Sequence, residues 1–222
     1  MVTVGLVVVG IALAGVGFFG LYRPWHLRWG STREEVARGM PGDEVVRAPM
    51  FDATRAVTVE ARPEAIWPWI VQIGFGRAGW YSYDLLDNLG HHSAERIIAG
   101  LQHIDVGDLV PLGPGEDAGM RVKGFEPNRW MVWWEKNQLT TWAWTLDPMP
   151  DGSTRLVTRV RARSSWRHPA TAIWLLLTEV ADFPMMRKCL LGIKRRAEAL
   201  ELERARQPHS VGSLMSTLSG RV

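Results

Sequence analysis

The hydrophobic and polar positions follow three different patterns along the chain, and each predicts a different kind of element. From Val2 to Tyr22 no residue is charged and nearly all are aliphatic, aromatic or glycine. At about 1.5 Å of rise per residue such a run spans a hydrocarbon layer of roughly 30 Å, so it predicts a transmembrane helix. No basic stretch precedes it and no small-x-small cleavage site follows it, which argues for a retained anchor rather than a signal peptide. Arg23, Arg28, Arg33 and Arg38 come directly after the run, and the positive-inside rule then places the rest of the chain in the cytoplasm. Trp25 and Trp29 read as interfacial anchors. Gly10, Ala14 and Gly17 share one helical face, as in small-xxx-small pairs, and would permit a homodimer through the membrane helix.

Beyond residue 24 the pattern becomes that of a mixed α and β domain. Ser31 or Thr32 can cap a short helix over Arg33 to Arg38, with Glu34 and Glu35 in its first turn. Arg55 to Glu60 alternates and predicts a strand, which ends at Ala61-Arg62-Pro63-Glu64. Pro63 suits the start of a helix that continues through Val71 despite Pro68. Tyr81 to Leu89 and Ser93 to Leu101 read as short helical pieces around a Gly90-His91-His92 turn.

The middle of the chain then takes period two. Gly107 to Leu112, Met120 to Phe125, Trp130 to Glu135, Thr140 to Leu146 and Arg155 to Arg163 are short β-rich runs divided by turn clusters, which predicts an antiparallel meander. In one of them Trp142, Trp144 and Leu146 share a face; in another Arg155, Arg159, Arg161 and Arg163 do. The arginine row reads as a solvated outer face, or as a contact for anionic headgroups. From about Pro169 to Arg206 apolar residues return at helical spacing, with a kink or break expected around Pro184. The expected divisions are an anchor over 1–23, a juxtamembrane linker with a short helix over 24–53, a folded domain over 54–206 and a disordered tail over 207–222.

Composition narrows the function classes. Twelve tryptophans in 222 residues mean either a large aromatic core or an aromatic-lined cavity. A net charge of +3 spread over scattered arginines, with no nucleic-acid motif, excludes nothing but supports no nucleic-acid partner. Cys189 is the only cysteine, so an intramolecular disulfide and a cysteine metal cluster are both excluded, and among Met185, Met186, Leu190 and Leu191 it reads as a small buried hydrophobe.

Strand, short helices, meander and long terminal helix, in that order, resemble the helix-grip fold of the START-like, Bet v 1-like or polyketide-cyclase-like superfamily. Ala61-Arg62-Pro63-Glu64-Ala65-Ile66-Trp67 looks like its strand-to-helix entry, and Thr154 to Val160 like its late strand. Trp80-Tyr81-Ser82-Tyr83-Asp84, Val106-Gly107-Asp108 and Leu191 to Arg196 resemble a bacterial subgroup with an N-terminal membrane segment. The resemblance covers roughly residues 29 to 200. It implies an α+β domain, an antiparallel sheet wrapped around a long C-terminal helix, with a cavity between them; it supplies no catalytic residues.

The densest polar and aromatic cluster is Trp80, Tyr81, Tyr83, Asp84, His91 and His92, on a segment that such folds place near the cavity mouth. With Trp142 and Trp144 from the meander, Trp80, Tyr81, Tyr83, Asp84 and His92 are the expected ligand-binding residues, and core packing and helix capping are the competing roles. Adjacent histidines point apart and no metal-ligand spacing occurs, so neither a metal nor another cofactor is expected. Two functions stay open. One is a membrane-tethered binder or carrier of a hydrophobic small molecule or lipid; the other is a cyclase- or dehydratase-like enzyme with Asp84 or His92 as general base. A third is an interaction module whose cavity is filled by its own side chains. Asp84 and His92 facing one cavity would favour the enzyme.

Overall fold

The computed structural model describes residues 2–163 and 169–206, and the tail expected from residue 207 lies outside them. Six strands form one antiparallel sheet in the order β1-β6-β5-β4-β3-β2, built from β1 (Phe51–Val59), β2 (Leu109–Pro111), β3 (Gly119–Glu126), β4 (Trp130–Trp134), β5 (Thr140–Pro148) and β6 (Thr154–Ala162). Only the β1–β6 pairing joins strands distant in sequence; the others are neighbours in the meander. The helices are α1 (Val2–Gly17), α2 (Arg23–Leu27), α3 (Arg33–Ala37), α4 (Pro63–Gln72), α5 (Asp84–Asp87) and α6 (Pro169–Arg206). A sheet gripping a long C-terminal helix is the helix-grip arrangement that the meander and the last amphipathic stretch predict.

The inner face of the sheet carries the core. Val57 and Val59 of β1, Met131 and Trp133 of β4, Trp144 and Leu146 of β5 and Leu156 of β6 are buried against α4 and against Leu190, Ile193 and Ala197 of α6. Those α6 positions recur at helical spacing, and burying each such side chain contributes on the order of 2 kcal/mol. The helix continues through Pro184 as one element, so the break expected there does not occur. At Gly192 the helix comes so close to the loop before α5 that an added Cβ would lie 2.2 Å from the Tyr81 carbonyl oxygen.

The two expected helices after α4 largely fail to form. Only Asp84–Asp87 and the single tight turn Ala99–Leu101 are helical. Gly79, Tyr81, Leu89 and Gly90 take positive φ, which interrupts any helix before it can propagate. Loop 96–102 is instead fastened by the buried Gln72 amide, which donates to the Arg96 carbonyl and accepts from the Ile98 N–H at 2.9 Å.

The outer face corrects the reading of the arginine row. Residues 30–46 lie across it, and the small cluster of Met40, Ala56, Val132, Ala143 and Val157 is buried beneath them. The Arg155 guanidinium grips both Glu35 carboxylate oxygens at 2.8 Å. Arg159 is buried and donates to Thr54, to Asp43 and to the Glu35, Val36 and Arg38 carbonyls that α3 leaves open at its C-terminus. Arg161 reaches the Asp43 carbonyl at 2.9 Å. Arg155, Arg159 and Arg161 are neither solvated nor free for headgroups; they clamp the segment expected as a linker, and Arg163, past the end of β6, is exposed. On that segment Thr32 and Glu35 form a reciprocal capping box at the start of α3.

The expected membrane anchor is also corrected. Among the described residues no helix is long and apolar enough to cross a membrane. The apolar run is divided: α1 has 16 residues, about 24 Å at 1.5 Å each and short of the roughly 30 Å needed, and a π-helical turn, Phe18–Tyr22, separates it from α2. Trp25 does not face a bilayer interface alone; its ring packs edge-on against Phe183 of α6, 5.1 Å between centroids, and the buried His26 stands with Nε2 3.1 Å from Glu179 of α6. The single-pass localisation, with the sides assigned by the positive-inside rule, is overturned, and the expected bilayer partner and homodimer along Gly10, Ala14 and Gly17 lose the spanning helix they were argued from.

Candidate functional site

Four indoles pack against one another in the core on the inner side of the sheet. Trp142 stacks on Trp80 (5.5 Å, 10°) and on Trp144 (5.3 Å, 23°), while Trp133 meets Trp142 and Trp144 edge-on at 5.2 and 5.5 Å. Alternation along β5 forces this, because residues 142 and 144 must share the inner face. Trp133 and Trp144 are wholly buried, whereas Trp80 and Trp142 stand at the edge of the cluster. The Trp142 N–H donates to Thr158 at 2.8 Å, which fixes its ring plane.

Beside this edge lies a cleft of about 170 Å³. One wall is Trp80 and Trp142; the opposite wall is a face of α6 made by Asp182, Met185, Met186 and Cys189, with spacings of three, four and seven residues. Ser82, Asp87 and Leu112 close the ends. Ser82 is oriented by donating to the Met185 carbonyl at 3.0 Å, and Asp182 holds Arg55 of β1 at 2.6 Å. The Cys189 thiol is pushed up by burial and further by the Asp87 charge, so it is a protonated, unreactive wall rather than a nucleophile.

The structure distributes the other expected site residues elsewhere. Tyr81 is buried, donates its hydroxyl to the Trp69 carbonyl at 3.1 Å and lies under the Arg196 guanidinium, so it ties α4 to α6. Burial also raises its phenol well above the usual range. Tyr83 is exposed, with the Lys188 ammonium 3.8 Å above its ring. Asp84 organises the α5 loop: its carboxylate accepts from the Ser93 hydroxyl (2.7 Å), the Ser93 N–H and the Asn88 amide, and lies 3.1 Å from His92 Nδ1. Burial works to raise its pKa, but the hydrogen bonds from Ser93, His92 and Asn88 prevail and hold it down at about 2. His92 is 95% exposed and lines, with His91, Phe75 and Arg77, a separate open depression that shares no residue with the tryptophan cleft. Asp84 and His92 meet each other but do not face the cleft.

Of the seven residues expected to bind ligand, Trp80 and Trp142 therefore border the cleft, and Trp144 lies behind Trp142 in the core. Ser82, Asp87, Leu112, Asp182, Met185, Met186 and Cys189 are the cleft residues that sequence reasoning missed. A signal existed: on α6 the apolar face is interrupted at Asp182, one helical repeat before Cys189, where a carboxylate would otherwise be buried.

Comparison with protein-family models and with curated proteins finds no match. Among solved structures the chain is similar to a polyketide-cyclase-like protein from Corynebacterium glutamicum, 15% identical over 71% of this chain and 96% of that one, with a TM-score of 0.43. It is also similar to a conserved protein of unknown function from Enterococcus faecalis, 11% identical over 76% and 96% with a TM-score of 0.38. A protein from Chromobacterium violaceum gives 13%, 66%, 96% and 0.35. These scores are too low to carry an argument about activity. The fold rests on the strand order and the helix placement described above.

Proposed function

We propose that this chain is a binding domain for a small, largely apolar molecule, which it holds in the cleft between α6 and the Trp80–Trp142 wall without carrying out chemistry on it. The observation that supports this reading is the wall itself: two indoles faced by Met185, Met186 and Cys189 offer an apolar concavity with few polar groups, the usual make-up of a small-molecule site. A cyclase- or dehydratase-like role needs its acid and base beside the ligand, and Asp84 and His92 stand outside the cleft.

A second reading has one observation in its favour. The four indoles pack directly against one another on the inner side of the sheet, as in an interaction module with a filled core.

Native mass spectrometry of the full chain, gently purified from its own host, separates the two when combined with a tryptophan fluorescence titration. A co-purifying small molecule that quenches or shifts Trp80 and Trp142 emission supports the binder, and the response should be lost in Trp142→Ala. A clean apo mass, with no fluorescence response to any member of a panel of hydrophobic ligands, establishes the filled-core module instead.

A further inference from the structure

We infer that the tryptophan cleft selects a protonated amine carried on a single small ring or short apolar chain, with Asp87 as the counter-ion and the Trp80–Trp142 wall as the surface that the ring or chain covers. The inference rests on the binding reading above and adds the charge and size of the ligand.

Both charged side chains that line the cleft are carboxylates. Asp182 is already compensated, since Arg55 Nη1 lies 2.6 Å from its Oδ2 and the guanidinium is itself wedged over the Phe183 ring. Asp87 is not. Among the described residues no cation forms an ion pair with it, and one oxygen accepts only the Tyr83 N–H at 3.3 Å. Lys188, an exposed cation from the facing helix, sits over the Tyr83 ring instead. The Asp87 charge is felt inside the cleft, because after burial it is the largest influence raising the Cys189 thiol.

Three ligand charges meet this site differently. An anion would be repelled by an uncompensated carboxylate. A neutral apolar ligand would cover the indoles but strip water from Asp87 without pairing it, which is unfavourable. A protonated amine pairs with Asp87 through its ammonium group while its apolar carrier covers the Trp80–Trp142 wall, so neither the charge nor the apolar surface is left uncompensated. Size restricts the ligand further: about 170 Å³ is smaller than the roughly 300–1,000 Å³ of drug-sized sites and close to the ~150 Å³ cavity that takes up one benzene.

The experiment is a titration of the full chain near neutral pH, by tryptophan fluorescence and calorimetry, with phenethylamine, with its neutral analogue 2-phenylethanol and with the anion 3-phenylpropanoate. The amine should bind about tenfold or more tightly than the alcohol, and the anion should not bind. Asp87→Asn, which keeps an acceptor for the Tyr83 N–H, should remove most of that preference, chiefly by weakening the amine. Equal affinities for amine and alcohol in the unaltered chain, or a preference that survives in Asp87→Asn, would overturn the charge selection and leave the binding reading standing. Failure of all three probes to bind would remove the binding reading and this inference together.

Discussion

Asp84 shows how a residue that looks chemical can be structural. Its carboxyl, ordinarily near 3.8, is held at about 2 by donors from Ser93, Asn88 and His92, so near neutral pH it is ionised and only weakly basic. A folded-state value below the unfolded one contributes stability that is fully present above about pH 4 and is lost as the pH falls through about 2. The shift corresponds to roughly 2 kcal/mol. Asp84→Ala should therefore cost about that much near pH 7, and the gap between variant and parent in urea unfolding should shrink steadily below about pH 4. A gap that stays constant down to about pH 2.5 would mean that the carboxylate charge is not what the loop depends on. The sequence placed Asp84 beside two histidines and two tyrosines, which is a catalytic composition. It could not reveal that Ser93 and Asn88 would use the lone pairs.

At the scale of elements, alternation located the strands well because one inner face is buried throughout. The run expected over Thr140 to Leu146 is β5 without its last two residues, and the one over Arg155 to Arg163 is β6 displaced by a single residue. The same alternation showed that the arginines share a face, but not what covers it, since a solvated row and a clamped row have one spelling. The cover is a segment without periodicity, recognisable only through its partners: Glu35 and Asp43 stand opposite Arg155 and Arg159. Removing one member of a buried ion pair leaves the other unpaired, at a typical cost of 3–5 kcal/mol. Asp43 keeps partial access to water and a second cation, Arg161, which places Arg159→Met nearer the lower figure, about 3 kcal/mol. The loss should be local first. Trypsin should cut after Arg33 or Arg38 in the variant under conditions that leave the parent intact, and an unchanged cleavage pattern would show that residues 30–46 are held by the small apolar cluster alone.

At the scale of the whole molecule, composition misled where geometry decided. A charge-free run from Val2 to Tyr22 has the content of a membrane span, yet the hydrogen-bond ladder changes at Phe18–Tyr22 and the next turn buries His26 and Leu27 on the domain. No count of apolar residues records where a helix changes its pitch. The same distinction, between what a segment contains and what it packs against, governs α6. This helix supplies one wall of the cleft and, directly after it, Leu190 and Ile193 in the core. The cleft therefore cannot open by swinging α6 away unless the core opens with it. Cys189 reports on this directly, being 2% exposed, with its thiol raised by burial. Iodoacetamide labelling of Cys189 should be negligible in the native protein near neutral pH, and its onset in urea should coincide with the loss of far-ultraviolet circular dichroism, with the same dependence on urea concentration. Labelling that runs to completion without denaturant would require a local opening of α6 from the sheet, and ligand would then enter by that motion. Coincident transitions mean that ligand enters past a helix that stays in place.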